Sequence, residues 1–343
     1  MPTQAGAAMH KKSPSLPASI ISSLRHRRSR PAAPSGRSAE QASGTLVASY
    51  NVHKCVGVDG RFDPERIARV IAEIGPDVIA LQEADKRFGE RHGLLDLPRL
   101  EQETGLVPVP LGNASRAHGW HGNVVLFRRG MVRDVHQVTL PGLEPRGALV
   151  VELDLEGGAA LRIVAAHFGL LKRSRAQQAR RLIEIMQSRD ERPTLLLGDL
   201  NEWRLGARSS LKELGPAFHT LPVPVPSFPS GLPLLALDRI IANRPEILSD
   251  VEVHDTPLAR TASDHLPIKA YVDPGLPDLS PAEADLARGG RPAPLSERPL
   301  PMPEPLPRGE AGQRNRERVR EAGARLKRAV NRTLGRRGPP PRS

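Results

Sequence analysis

The sequence predicts an α/β fold, a two-sheet sandwich with helices on its outer faces. Three observations carry this expectation. Short, strongly apolar β-type runs recur between residues 45 and 273, and two segments of helical periodicity interrupt them. The order is strand, helix, strand, several hairpin strands, helix, strand, as two packed sheets with flanking helices require.

The foldable stretch is set by composition. All ten aromatic residues lie between Tyr50 and Tyr271, and 13 prolines fall in the last 70 residues. Neither flank carries enough apolar bulk to offset the entropy of ordering it. The sequence therefore divides into a basic tail at 1–44, a globular domain at 45–273 and a Pro/Arg-rich basic tail at 274–343. Charge follows the same division: the domain holds 28 Lys and Arg against 29 Asp and Glu, the tails 7 against 1 and 15 against 8. The net charge of +12 thus belongs to the tails, whose expected partners are anionic, nucleic acid or phospholipid. Residues 316–334 carry Val319, Ala322, Leu326, Val330 and Leu334 on one face of a basic amphipathic helix pattern. Cys55 is the single cysteine, so no intrachain disulfide forms. No apolar run reaches the length of a transmembrane segment. The expectation is a soluble, cytoplasmic monomer that touches the membrane surface at most peripherally, although the Arg-rich start also has the composition of an organelle targeting peptide.

Within the domain, residues 45–53 form a first strand. Asp63-Pro64 then opens a helix as N-cap and first helical residue, Ile67, Val70, Ile71 and Ile74 supply its buried stripe, and Gly75-Pro76 stops it. Strands follow at 77–83, 123–128, 132–140, 148–155 and 161–167, with a helix near 97–104 and a hairpin signal at Gly157-Gly158. A second amphipathic helix spans 174–188, and strands at 194–198, 237–241 and 267–272 complete the order.

The informative residues stand at the ends of these strands. Asn51, Glu83, His167, Asp199 with Asn201, and Asp264-His265 each adjoin four or five apolar residues. Charged groups there are costly to bury unpaired, so they reach solvent or meet one another. Carboxylates, amide oxygens and imidazoles gathered at the carboxyl ends of strands suit Mg²⁺, with Mn²⁺ as the alternative, bound together with a substrate phosphate. Such a cluster supplies charge neutralisation, an activated water and proton transfer.

Seven short motifs stand in order: Ser49-Tyr50-Asn51, Leu81-Gln82-Glu83, Gly122-Asn123, His167, Gly198-Asp199-Leu200-Asn201, Leu237-Asp238-Arg239-Ile240 and Ser263-Asp264-His265. In this the chain resembles the endonuclease/exonuclease/phosphatase superfamily, the deoxyribonuclease I-like phosphoesterases, from about Thr45 to Val272. The resemblance implies an Mg²⁺-dependent phosphodiesterase or phosphoesterase that works by in-line attack of an activated water. It implies Glu83 as principal metal carboxylate with Asn51 and Asp264 nearby. Asp199 would orient or deprotonate water and Asn201 would hold phosphate or water, while His265, oriented by Asp238, and His167 would flank the scissile group. Asn123, Lys172 and Arg173 are candidate phosphate contacts. His53-Lys54 stands where several nucleases of the family place an acidic residue, and Arg239 stands where many members carry an aromatic. His92, His118, His121, His136, His219 and His254 read as loop or surface histidines.

Loops choose the substrate in such a fold. The basic run Lys172 to Arg175 after the His167 strand favours a nuclease, and the basic tail helix favours a phospholipid-directed phosphodiesterase at an anionic membrane. An inactive binding module is the third reading, which the retained Glu83, Asp199, Asp264 and His265 oppose.

Overall fold

In the first strand the side chains alternate between two environments, and this period of two builds the layers. The computed structural model describes residues 44–86, 91–112, 117–156, 160–218 and 221–275. Strand β1 (Thr45–Asn51) sends Val47 into the space between two sheets and Ala48 and Tyr50 toward an outer helical layer. Helix α1 (Pro64–Ile74) follows; the Asp63 carboxylate accepts from the Arg66 backbone N–H at 2.9 Å, and Gly75 ends the helix at φ 61°. Strand β2 (Val78–Gln82) repeats the alternation, with Val78 and Ala80 facing the other sheet and Ile79 and Leu81 facing α1. Helix α2 (Leu97–Thr104), β3 (Val107–Pro108) and β4 (Val124–Phe127) complete this side.

The next strands are β5 (Gly130–Leu140), β6 (Arg146–Leu155) and β7 (Ala160–His167), a run of antiparallel neighbours. The glycine pair between β6 and β7 lies outside the described residues, while the strands on either side pair as a hairpin requires, Asp154 opposite Ala160. Helix α3 (Lys172–Gln187) crosses to β8 (Thr194–Asp199), which runs parallel to β7. Then come β9 (Asp238–Ala242), β10 (Glu252–Val253), α4 (Pro257–Ala262) and β11 (Ile268–Val272).

One sheet has the order β10-β11-β1-β2-β4-β3 and the other β5-β6-β7-β8-β9, so the sandwich with outer helices is the observed architecture. The aliphatic core between the sheets includes Leu149, Val151, Ile163, Leu195 and Leu197. Each such side chain contributes about 1.5–3 kcal/mol by leaving water. Helix α3 packs Ala179, Leu182 and Ile183 on the outer face of the second sheet. Gly198 shows how closely β7 and β8 approach: a Cβ there would sit 1.8 Å from the Ala166 carbonyl oxygen.

Sequence reading missed β3, β10 and α4, which are two, two and six residues long, too short for periodicity to register. The proposed tail helix at 316–334 lies outside the described residues, as do 1–43 and 276–343 of the tails. Among the described residues, no helix is long and apolar enough to cross a membrane.

Strand direction places the site. β1 runs parallel to β2 and β7 parallel to β8, so Asn51, Glu83, His167 and Asp199 come at the carboxyl ends of those strands. β9 and β11 run antiparallel to β8 and β1, which brings Asp238 and the Asp264-His265 pair to the same ends. Asp199 and Asp238 are direct partners in the ladder.

Candidate active site

Asp199 is the hub of the cluster, and it is fully enclosed by neighbours from four other segments. Its Oδ2 accepts from Asn51 Nδ2 at 2.9 Å and lies 3.5 Å from His167 Nε2 and 3.8 Å from His265 Nε2. Its Oδ1 accepts from the Asn201 backbone N–H at 2.9 Å. Burial pushes the Asp199 carboxyl up, and the Asp238 carboxylate adds to that. The charged His265 ring and the bonds from Asn201 and Asn51 oppose the rise, and the group settles at about 6.

His265 is bound through Nδ1 to Asp238 Oδ2 at 2.8 Å, and the Ser227 hydroxyl donates to the same carboxylate oxygen. Burial alone would depress the imidazole, but the Asp238 and Asp199 carboxylates overcome it and hold His265 up at about 10. The ring is therefore an imidazolium at neutral pH. Ser263 ties this loop to β1: its hydroxyl donates to the Asn51 carbonyl at 2.7 Å and accepts from the His265 N–H at 3.2 Å.

Stability should report this charge state in the metal-free protein. A folded-state pKa raised above the ordinary 6.5 contributes stability that is whole below that value and is lost as pH rises through about 10. The difference in urea midpoint between wild type and His265→Gln should therefore shrink from neutral pH to beyond about pH 10. An unchanging difference over that window would contradict the imidazolium.

His167 is held in the opposite state. Arg146 Nη1 donates to its Nδ1 at 2.9 Å, and a guanidinium has only protons to offer. Nδ1 must therefore be the acceptor, which leaves the proton on Nε2, the nitrogen facing Asp199. Burial first, and the Arg146 charge second, hold its pKa well below the ordinary value. Two buried histidines thus flank one carboxylate, one neutral and one cationic.

Glu83 follows β2 and has φ 56°, and Asn201 has φ 51°. His53, Lys54 and Cys55 also have positive φ, so five of the seven such non-glycine residues described lie on the turns of the site. Clustering of this kind marks a functional constraint on the backbone. The Lys54 ammonium pairs with Glu83 Oε2. Burial opposes ionisation of Glu83, yet the neighbouring His167 and Lys54, when charged, prevail and hold its carboxyl at about 2. His53 Nδ1 lies 3.6 Å from Asp264 Oδ1, an oxygen buried without a hydrogen bond.

Two donor sets could hold a cation. Asp199, Asp238 and His265 each offer an atom within 4.8 Å of the others. The His265 ring is protonated there and bound to Asp238, so that set is an internal ion pair first. Asn51, Glu83 and Asp264 offer oxygen donors only, and the Asp264 Oδ1 atom lacks a hydrogen-bond partner. Their chemistry fits a hard divalent cation.

The other sequence candidates divide. Asn123 is fully buried, and its Nδ2 donates to the carbonyls of Trp120 and Gly147, at 3.1 and 2.9 Å. Its amide protons are committed to latching the start of β4 to β6, which leaves none for a phosphate. Lys172 and Arg173 stand exposed in the first turn of α3, outside the cavity that Lys54, Glu83, Arg91, His121, Arg146 and His167 line. His121, read as a loop histidine, belongs to this cavity, where Arg91 Nη1 meets its Nδ1 at 2.7 Å. His254, read the same way, is buried against Glu73 at 3.2 Å. Sequence reading missed Arg146, although an arginine opening an apolar strand is the same strand-end signal that marked the others.

Comparisons with known proteins identify the family to which the chain belongs. The family model described as "Endonuclease/Exonuclease/phosphatase family" matches residues 48–265. The uncharacterised protein YbhP of Escherichia coli strain K12 is 32% identical over 246 residues, which cover 66% of this chain and 95% of that protein. An endonuclease/exonuclease/phosphatase from Beutenbergia cavernae superposes with a TM-score of 0.51 at 24% identity, covering 68% of this chain and 72% of its own. The mannosyl-6-phosphatase Bt3783 of Bacteroides thetaiotaomicron superposes with a TM-score of 0.51 at 18% identity, over 67% of this chain and 100% of its own. With its strand-end cluster and a family match that runs from β1 to His265, the chain belongs to the endonuclease/exonuclease/phosphatase family, hydrolases of phosphoester bonds.

Proposed function

We propose that this protein is a divalent-metal-dependent phosphodiesterase, with Mg²⁺ or Mn²⁺ held by Glu83, Asn51 and Asp264. The observation that carries the reading is the convergence on Asp199: one carboxylate, one cationic imidazole and one neutral imidazole within 3.8 Å. When bound, the cation supplies neutralisation of phosphate charge and acidification of a water. The chain's own groups divide the remaining work. Asp199, with its carboxyl at about 6, is ionised at neutral pH and accepts the proton of the attacking water. Asn51 and the Asn201 backbone fix that carboxylate so that it need not reorganise. The His265 imidazolium, charged by Asp238, opposes the negative charge that gathers on the phosphorus oxygens. His167 offers a neutral Nε2–H donor whose tautomer Arg146 sets. The departing ester oxygen needs a proton, and His265 carries one.

Bis(p-nitrophenyl) phosphate tests the reading. Turnover should require added Mg²⁺ or Mn²⁺, vanish with EDTA, and rise as pH passes about 6, where Asp199 ionises. Undiminished turnover in EDTA after metal-free dialysis would exclude it.

A further inference from the structure

The loops at the site end of the sandwich carry large apolar side chains in water. Leu143 precedes β6, Leu170 and Leu171 follow β7, Trp203 and Leu205 follow β8, and Leu234 precedes β9; their exposures run from 50% to 84%. Register puts all four loops at the end that holds His167, Asp199 and Asp238, because β7 and β8 are parallel and β6 and β9 run against them.

The exposure is built in. Glu144 Oε1 accepts from the Leu170 N–H at 2.8 Å and its other oxygen pairs with Arg146, which joins the first loop to the second. Buried Arg175 donates to the Leu170 carbonyl at 2.6 Å and to Glu202 at 3.2 Å, which joins the second to the third. Buried Arg239 donates to the Glu202 carbonyl at 3.0 Å and the Ala236 carbonyl at 2.5 Å, which joins the third to the fourth. The Arg146-held Glu144 bridge and two guanidinium clamps, Arg175 and Arg239, thus join the four loops of the rim.

Charge on the rim has one sign. Residues 141–145, 168–173, 200–208 and 221–236 contain two carboxylates, Glu144 and Glu202, and both are bound by those arginines. Lys172, Arg173 and Arg208 stand exposed beside the leucines, and Arg204 lies 4.6 Å above the Trp203 ring. An apolar rim edged with cations complements a surface that is apolar inside and anionic at its face, which is an anionic phospholipid bilayer. Nucleic acid would be matched by several aromatic platforms and by hydrogen-bond donors, whereas five of these six side chains are aliphatic leucines.

We infer that this rim docks on an anionic phospholipid surface and that the phosphoester cleaved at Asp199 belongs to a phospholipid headgroup. This rests on the hydrolytic reading above. In the step itself, the water oxygen forms the new bond to phosphorus, one ester P–O bond breaks, and the departing alkoxide takes a proton. The leucines hold the headgroup layer against the pit, so membrane contact and substrate delivery are one event.

The test uses the full chain and vesicles of phosphatidylglycerol and phosphatidylcholine with brominated acyl chains. Tryptophan emission should be quenched on vesicle binding, and Trp203→Phe, which leaves Trp120, should lose that quenching. Leu143→Ser, Leu170→Ser and Leu205→Ser together, with circular dichroism retained, should weaken quenching and release of phosphate esters from the vesicles by about tenfold or more. The basic tails can also bind vesicles but contain no tryptophan, so acyl-chain quenching of Trp203 reports the rim and not the tails. Absence of quenching, quenching indifferent to the triple substitution, tighter rim-dependent binding to DNA, or a reversible dimer that hides Trp203 would each overturn the inference. Wild-type turnover of bis(p-nitrophenyl) phosphate is followed in parallel, and its loss under all metal conditions would strike the hydrolytic reading while leaving the quenching result to decide docking.

Discussion

Glu83→Gln is expected to lower Mg²⁺-supported turnover of bis(p-nitrophenyl) phosphate on the order of 10³-fold, since a Lewis acid supplies several kcal/mol and about 1.4 kcal/mol is tenfold. Glutamine preserves the shape and one oxygen donor but removes the negative charge. The wild-type carboxyl, held down at about 2, stays charged through the whole working pH range, so a loss at any such pH is a loss of charge. Few protein ligands are available, and weak binding of Mg²⁺ follows. Turnover of the variant should therefore recover in part at high Mn²⁺, and calorimetric titration of Mn²⁺ should show weaker binding independent of activity. Lys54, which pairs with Glu83 in the metal-free protein, competes for the same carboxylate, so Lys54→Ala should bind Mn²⁺ more tightly than wild type. Wild-type turnover in Glu83→Gln would remove Glu83 from the centre.

The second large effect lies at the Asp238 and His265 pair. His265→Ala should lower turnover by about 10²–10⁴-fold, the range of a positioned acid or base. Asp238→Ala should cost a similar factor, because the buried imidazole then loses the carboxylate that keeps it charged. The double variant should be little worse than the poorer single one, as expected for groups that act as a unit. Losses that multiply would show independent roles. Asp238→Asn separates charge from geometry: the ring keeps a partner oxygen, yet its pKa falls, so the alkaline limb of the pH profile should move to lower pH. An alkaline limb that stays in place would assign it to another group.

Much of this site was legible along the chain because the physics of its parts is local. Asp63, Pro64 and Gly75 mark a helix by hydrogen-bonding and backbone rules that need no tertiary context, and α1 begins and ends where they stand. His167 and Asp199 stood out because each closes an apolar strand, and the parallel pairing of β7 with β8 makes them neighbours in the ladder. Helix α4 was not legible: six residues with buried Ala259 and Ala262 give too little pattern. Asn123 carried a family motif, yet the same amide that suits phosphate suits two carbonyls equally, and burial decided for the carbonyls. The rim leucines carried no signal in the sequence, since exposure is a property of the assembled surface.

By itself the sequence determined the layers, the order of the elements and the residue types that gather at the strand ends, because period-two apolar patterning and turn chemistry act over a few residues. Tertiary structure alone decided what those residues are. His167 and His265 are the same side chain in comparable burial, and one is neutral while the other is charged. The difference lies in their partners, Arg146 from 21 residues away and Asp238 from 27 residues away. In a buried site of low dielectric a single neighbouring charge outweighs the intrinsic pKa of the group, and only the fold chooses that neighbour.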